Sequence, residues 1–470
     1  MKRIINIIIL ISLIAFSTKS FSQGYNIKVK INGIRDSSFQ IAVYYGKYQT
    51  IVDSGFADAK GNVVFKGKDT LAGGIYLLAM NKKHVFDFII DKEQQFQLET
   101  DTANYIGHMK VKGSVENKLF FDYQQVSISN QLKMKPFQEA RERLKDNKDS
   151  AAYYKAKMDE VIKSVMDFQE ELKKQNPNSF WVKVLKCTEE IKVPEPPLLP
   201  NGQKDSVFAY YYYKNHYWDN YDLMDSRMIR TPMFHDKLNN YFEKVVIQVP
   251  DTITKEALSL ISKTNEKGDL FKYIVWLVSY NYETSKIMGF DAVFVDMVDA
   301  FYKTNKAWWA TPSTTENMIK RANRIRYTLI GKKAYELIMP DSNNRFISFY
   351  SIKENFTILV FWDTDCGHCK KEIPLIKDFY DKFKTTYGIE VYAIDIDTNH
   401  TNWKKFIVEH KLDWINVSGT TANVDYRDIY DIYSTPVIFI LDREKKVIAK
   451  RIGSEQLEDF MLNYTKRNKQ

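Results

Sequence analysis

The sequence predicts a multidomain chain: an N-terminal antiparallel β-domain, an all-α middle domain and a C-terminal α/β domain. Three observations carry this prediction. Ten of the 18 glycines lie between Gly24 and Gly113, three more come before residue 330, and five follow it. Apolar residues recur at every second position in the first part and at every third or fourth in the middle. Beyond about residue 330, apolar runs of strand length alternate with helical patterns, the arrangement of a layered α/β domain. At 470 residues the chain is also too long for one ordinary core.

The first residues are expected to lie outside the fold. Lys2 and Arg3 precede the apolar run Ile4 to Phe16, and Ser20 and Ser22 are small residues suited to cleavage after Ser22. Residues 1–22 therefore read as a secretory signal peptide. An uncleaved anchor is the alternative, but the run falls short of the roughly 20 residues that span a bilayer. The mature protein is expected to be soluble in the cell envelope, in the periplasm. Loss of Lys2, Arg3 and Lys19 lowers the formal charge from +9 to +6, a mild excess that gives no reason to expect nucleic acid as a partner. The hydrophobic fraction of 44% and charged fraction of 27% are those of globular protein.

Residues 24–117 form the predicted β-domain, a small sandwich. Ile27, Val29 and Ile31 alternate with Lys28, Lys30 and Asn32, and Asp58-Ala59-Lys60-Gly61-Asn62 is a turn signal between apolar runs. Residues 118–327 form the helical domain. Tyr154, Met158, Ile162, Val165, Phe168 and Leu172 share one helical face, and Asn176-Pro177-Asn178-Ser179 ends that helix and caps the next. The run Tyr210 to Tyr213, followed by Tyr217, Trp218 and Tyr221, is expected to pack a helix into a core, with a peptide groove as the alternative. Residues 328–470 form the α/β domain. Its predicted elements are a buried strand Phe356–Trp362, a helix from Cys366 to about Lys384, a strand Ile389–Asp395, a helix Asn402–His410, a strand Pro436–Leu441, a short strand at Val447–Ala449 and a closing amphipathic helix.

The chemistry lies in Cys366-Gly367-His368-Cys369. A disulfide between Cys366 and Cys369 would close too small a loop to stabilise the fold, so the pair is better explained by redox chemistry. A thiol must ionise to attack, and the strand-to-helix junction puts Cys366 at a helix N-terminus, where free N–H groups favour an anion. Cys369, one turn on, is placed to resolve a mixed disulfide. Gly367 leaves room for a partner's backbone, and His368 supplies a donor near the thiolate. Zinc needs about four ligands, and His368, His400 and His410 have the wrong spacing. Haem attachment needs His directly after the second cysteine, and Lys370 stands there. No metal or cofactor is therefore expected. Cys187 reads as a buried thiol on a helix.

The segment FWDTDCGHCKKEIP resembles the active-site segment of thioredoxin-like proteins, in particular the TlpA/ResA-like thiol–disulfide oxidoreductases of the bacterial envelope. Gly331 to Asp341 resembles the start of that domain, and Ser434-Thr435-Pro436 resembles its cis-proline loop. The resemblance covers about 140 residues and implies a thioredoxin fold. It implies that Cys366 attacks, Cys369 resolves and Pro436 shapes the substrate site, with Gly367, Thr435 and Trp362 facing the substrate. Thioredoxins carry an acid in the strand beneath the cysteines, and Val360 stands at that place here. Glu372 matches the acid of the CxxCKKE pattern and is expected, with His368, to tune protonation. The implied partners are thiols and disulfides of envelope proteins and a membrane-bound electron donor, and some relatives serve cytochrome c maturation. The resemblance favours reduction, whereas Gly-His is the dipeptide of the more oxidising proteins, near about −180 mV rather than about −270 mV. Peroxidase chemistry would need Thr or Ser at Asp363 and Pro at Leu359. A copper-chaperone role for the two thiols and a binding or scaffold protein with an attached redox domain are the remaining alternatives.

Overall fold

The computed structural model describes residues 24–397 and 399–467. The expected signal peptide lies outside the described residues. Among the described residues, no helix is long and apolar enough to cross a membrane.

The chain divides into two compact units, one of residues up to 245 with 268–270, the other of 246–267 with 271 onward. The first begins with strands β1 (Asn26–Asn32), β2 (Ser38–Tyr45), β3 (Tyr48–Phe56), β4 (Asn62–Lys66), β5 (Gly74–Met80), β6 (Lys83–Ile90), β7 (Gln95–Asp101) and β8 (Lys110–Lys112). They form two four-stranded sheets, ordered β4-β1-β7-β8 and β3-β2-β5-β6. The expected alternation is seen in β1, where Ile27, Val29 and Ile31 are buried. One pairing differs from the antiparallel expectation, because β1 and β7 run parallel from Asn26 opposite Gln95 to Asn32 opposite Asp101. Alternation fixes which side chains face inward but not the direction of the neighbouring strand.

Helices follow: α1 (Val115–Arg143), α2 (Lys148–Gln175), α3 (Phe180–Lys186), α4 (Phe208–His216) and α5 (Phe234–Asn240). Two adjacent side chains near the start of α1 tie this unit together. The Asn117 amide takes the Ile89 N–H at 2.7 Å and donates to the Ile89 carbonyl at 2.6 Å. The Glu116 carboxylate accepts the N–H groups of Phe180 and Trp181 at 2.9 Å each, occupying the free donors at the α3 N-terminus. The tyrosine run lies on α4, but no residue of that helix is buried, and Tyr211 is 47% exposed. Only Tyr217, Trp218 and Tyr221, beyond the helix, enter the core. Each tyrosine carries a hydroxyl that must be hydrogen-bonded or wet, which limits how deep consecutive ones can go.

The second unit contains α6 (Pro250–Ser262), most of α7 (Asp269–Glu283), α8 (Asp291–Met297) and α9 (Pro312–Arg326). A ribbon of β9 (Ile338–Pro340) and β10 (Phe346–Ser348) leads into β11 (Phe356–Trp362), α10 (Cys369–Tyr387), β12 (Ile389–Asp395), α11 (His400–Glu409), β13 (Ile415–Ser418), α12 (Tyr426–Ile429), β14 (Val437–Leu441), β15 (Val447–Lys450) and α13 (Leu457–Arg467). The five-stranded sheet has the order β13-β12-β11-β14-β15, with β12 parallel to both neighbours and β14 antiparallel to both of its own. This is the thioredoxin arrangement expected. Strand β11 is central and has apolar clusters on both faces. Ile358, Val360 and Trp362 meet α10 and α11 on one face, and Leu359 and Phe361 meet Phe349 and Tyr430 on the other.

Replacing Asn117 by Ala leaves a buried N–H and a buried carbonyl of β6 without partners. We expect a loss of roughly 2–4 kcal/mol, read from urea unfolding of the first unit, since each orphaned group costs about 1–3 kcal/mol. A change below about 0.5 kcal/mol would show that water repairs the gap.

Candidate active site

Helix α10 builds the site. Cys369, Ile373, Ile376, Phe379 and Tyr380 recur at helical spacing and are buried against the sheet. The helix ends at Gly388, whose φ of +67° makes a left-handed cap at little steric cost. Before it, β11 delivers the loop Asp363-Thr364-Asp365, in which the Asp363 carbonyl accepts the Cys366 N–H at 3.2 Å. Cys366 thus precedes the first helical turn, and Cys369 begins it.

The two sulfurs occupy unlike surroundings. Cys366 is partly exposed, its sulfur 3.3 Å from the Cys369 N–H, which donates to it, and 3.4 Å from the Thr435 carbonyl oxygen. Burial opposes its ionisation, but hydrogen bonds with the Cys369 thiol, the Thr435 side chain and the amides of Cys369 and His368 outweigh burial and lower its pKa. Cys369 has no exposed surface, and burial, then its hydrogen bond to Cys366, pushes its thiol up to about 12. Both thiols are free in this structure. The Thr435–Pro436 peptide bond is cis, and both residues are half-buried beside Cys366.

Residues 330–450 match the AhpC/TSA family, 167–328 match a domain of unknown function termed DUF5106, and 25–120 match another, DUF4369. The thiol-disulfide oxidoreductase ResA of Bacillus cereus is 30% identical over 140 residues, covering 29% of this chain and 79% of the relative. ResA of Bacillus subtilis is 28% identical over 134 residues, covering 28% and 73%. The chain belongs to the ResA family of thiol–disulfide oxidoreductases. Among solved structures, a domain of a possible thiol-disulfide isomerase from Cytophaga hutchinsonii is 42% identical over 30% of this chain and 96% of its own, with a TM-score of 0.29. A thioredoxin-like protein from Bacteroides caccae is 20% identical over 58% of this chain and 99% of its own, with a TM-score of 0.45.

The remaining residues expected at the oxidoreductase site are placed as follows. Gly367 is exposed, and a Cβ built there meets nothing within 4 Å, so the space above the dithiol is open. His368 offers the Cys366 sulfur its backbone amide, while its imidazole is exposed. Glu372, half-buried one turn beyond Cys369, accepts the Ser454 N–H at 3.2 Å and so caps the segment before α13. Trp362 differs from expectation. Alternation along β11 turns it inward with Ile358 and Val360, and with no exposed surface it packs behind the site instead of facing a substrate.

Two arginines of α9 hold the segment that leads to Pro436. Arg321 pairs with Asp431 at 2.5 Å, and Arg324 pairs with Asp428 at 2.6 Å while lying over the Tyr433 ring.

Sequence reasoning sought the buried acid in β11 and missed it in the neighbouring strand. Asp395 ends β12 with no exposed surface, directly across from Trp362. No side chain reaches either carboxylate oxygen. Burial foremost, then the charges of Asp397, Asp363 and Asp365, pushes its pKa up to about 8 against the Asp397 backbone amide. The signal was present in IEVYAID, because Val391, Ala393 and Asp395 share one face of the strand.

Between about pH 4 and about pH 8 the folded state holds a proton on Asp395 that the unfolded chain has released, so stability falls as the pH rises through this window. Asp395→Asn removes that cost. Its thermal midpoint should exceed that of wild type by a margin that grows from about pH 5 to about pH 8, on the order of a few degrees at the upper end. A margin independent of pH would contradict the raised pKa.

Proposed function

We propose that this chain is an exported, periplasmic enzyme that reduces, or isomerises, disulfides of envelope proteins through the Cys366–Cys369 dithiol. Its layout is then a signal peptide at 1–22, a β-domain at 24–117, a helical domain at 118–327 and a thioredoxin-like domain at 328–470. The observation that carries the reading is the asymmetry of the two sulfurs, one partly exposed with its pKa lowered, the other buried with its pKa at about 12. Such a pair acts in a fixed order. The Cys366 thiolate attacks a substrate sulfur, forming a mixed disulfide and expelling the substrate's other sulfur as a thiolate. Cys369 then gives up its proton and attacks Cys366, which releases the reduced substrate and leaves the enzyme disulfide. A membrane-bound dithiol donor restores the dithiol. Pro436 and Thr435 border the sulfur that meets the substrate, and the open space over Gly367 admits the substrate backbone. The ResA family and the export-type N-terminus support the envelope setting.

Full-length protein bearing Cys369→Ser should accumulate mixed disulfides with envelope proteins, seen as dithiothreitol-sensitive bands on non-reducing gels, and Cys366→Ser should not. Equal trapping by both variants, or by neither, contradicts the assigned order.

Glu372, three residues beyond Cys369 on the same helix, is proposed to assist proton transfer at that thiol. Glu372→Gln keeps the shape and the Ser454 contact but removes the titrating group. Resolution of the mixed disulfide near neutral pH should slow by about tenfold, with attack by Cys366 unchanged. Overlapping stopped-flow pH profiles for the two proteins would reduce Glu372 to a structural cap.

A further inference from the structure

The exchange chemistry leaves one buried carboxylate unused. Alternation along β12 places Asp395 with Val391 and Ala393 on the sheet face whose apolar cluster contains Trp362 and Cys369. In register it stands between Trp362 of β11 and Ser418 of β13. Asp363 connects it to the thiol: its backbone amide hydrogen-bonds the Cys369 sulfur, and its charge acts on Asp395. A carboxylate with no exposed surface and no side-chain partner is costly to keep, which calls for a reason beyond packing.

Resting on the exchange reading above, we infer that Asp395 takes the proton of Cys369 when the mixed disulfide is resolved and returns it when the enzyme is reduced. In resolution, the Cys369 S–H bond breaks and its proton passes to the Asp395 carboxylate. The sulfur's electron pair forms the Cys369–Cys366 bond, the Cys366–substrate bond breaks, and the substrate sulfur leaves with that bonding pair and is protonated by solvent. The enzyme dithiol loses two electrons and the substrate disulfide gains them. In the return direction a donor dithiol attacks Cys366, and the departing Cys369 sulfur recovers its proton from the Asp395 carboxyl group.

The surroundings suit this exchange. Asp363 and Asp365 in the loop before α10, and Asp397 beyond β12, are the charges that act on Asp395, and all three oppose its ionisation. On α10, Cys369 is the buried titratable group, while Glu372 is engaged with the Ser454 amide. At the start of α11, His400 is exposed and bonds the Thr420 hydroxyl at 3.4 Å. With a pKa near 8, Asp395 gains and loses its proton close to the working range of a thiol. A thiolate and a carboxylate buried side by side disfavour each other, so the pair shares a single negative charge.

Stopped-flow reaction of the reduced full-length protein with 5,5′-dithiobis(2-nitrobenzoate) tests this. The first equivalent of thionitrobenzoate reports attack by Cys366, and the second reports resolution by Cys369. In wild type the second phase should accelerate through an inflection near pH 8. In Asp395→Asn that inflection should vanish and the second phase at about pH 8 should slow at least about tenfold, the first phase staying within about twofold. A second phase that keeps its rate and inflection in the variant overturns the role of Asp395 and leaves the exchange reading standing. Failure of wild type to release either equivalent overturns both. If Asp395→Asn does not fold, wild type decides the matter: the infrared band of the protonated carboxyl should titrate with a midpoint that shifts between dithiol and disulfide forms, and an unchanged midpoint overturns the inference.

Discussion

Seven residues, of which only Thr357 is polar, form β11, and a strand of that composition cannot present either face to water. Even Thr357 is buried, with its hydroxyl taking a hydrogen bond from Lys445 at 2.7 Å. Helices must therefore close both sides, and the one that follows β11 can do so only by turning back over the sheet. That turn is where Cys366 and Cys369 lie. The position of the dithiol, the burial of its second sulfur and the approach of Thr435 and Pro436 all follow from covering this strand.

Two cysteines separated by one helical turn become chemically distinct through elementary effects. Cys366 meets backbone N–H groups that have no helical partner, and these stabilise a negative sulfur more than its partial burial penalises it. Cys369 begins the apolar stripe of α10, so its sulfur points into the cluster around Val360 and Trp362. The same helix start thus makes one sulfur a nucleophile and the other a reserve. The arginines of α9 extend this order outward, since Arg321 and Arg324 fix Asp431 and Asp428 ahead of the cis-proline.

Much of this was legible in the sequence because it depends on local pattern. The strands Phe356–Trp362 and Ile389–Asp395 occur where the apolar runs place them, and Pro436 stands beside Cys366. The rest depends on which elements become neighbours. Parallel pairing of β1 with β7 joins residues about seventy apart, and no feature of either strand announces it. Trp362 could face a substrate or the core until α10 and α11 are placed. Asp395 is a strand end in the sequence and becomes a buried acid only when β12 lies against β11. The aromatic helix α4 was misjudged because tyrosine counts as apolar by pattern while its hydroxyl keeps it near water.

Cys187 closes α3 with its thiol 3.2 Å from the Lys183 carbonyl and 3.3 Å from the Asn220 carbonyl, and burial pushes its pKa up to about 12. An odd thiol in a chain that also carries a reactive pair is a hazard, since any thiolate it exposes can intercept the pair and lock the molecule in a wrong bond. Held between carbonyls as a neutral donor, Cys187 is a poor nucleophile and does not enter that competition. The fold thereby protects the redox pair from its own sequence, and a third cysteine can be carried without scrambling.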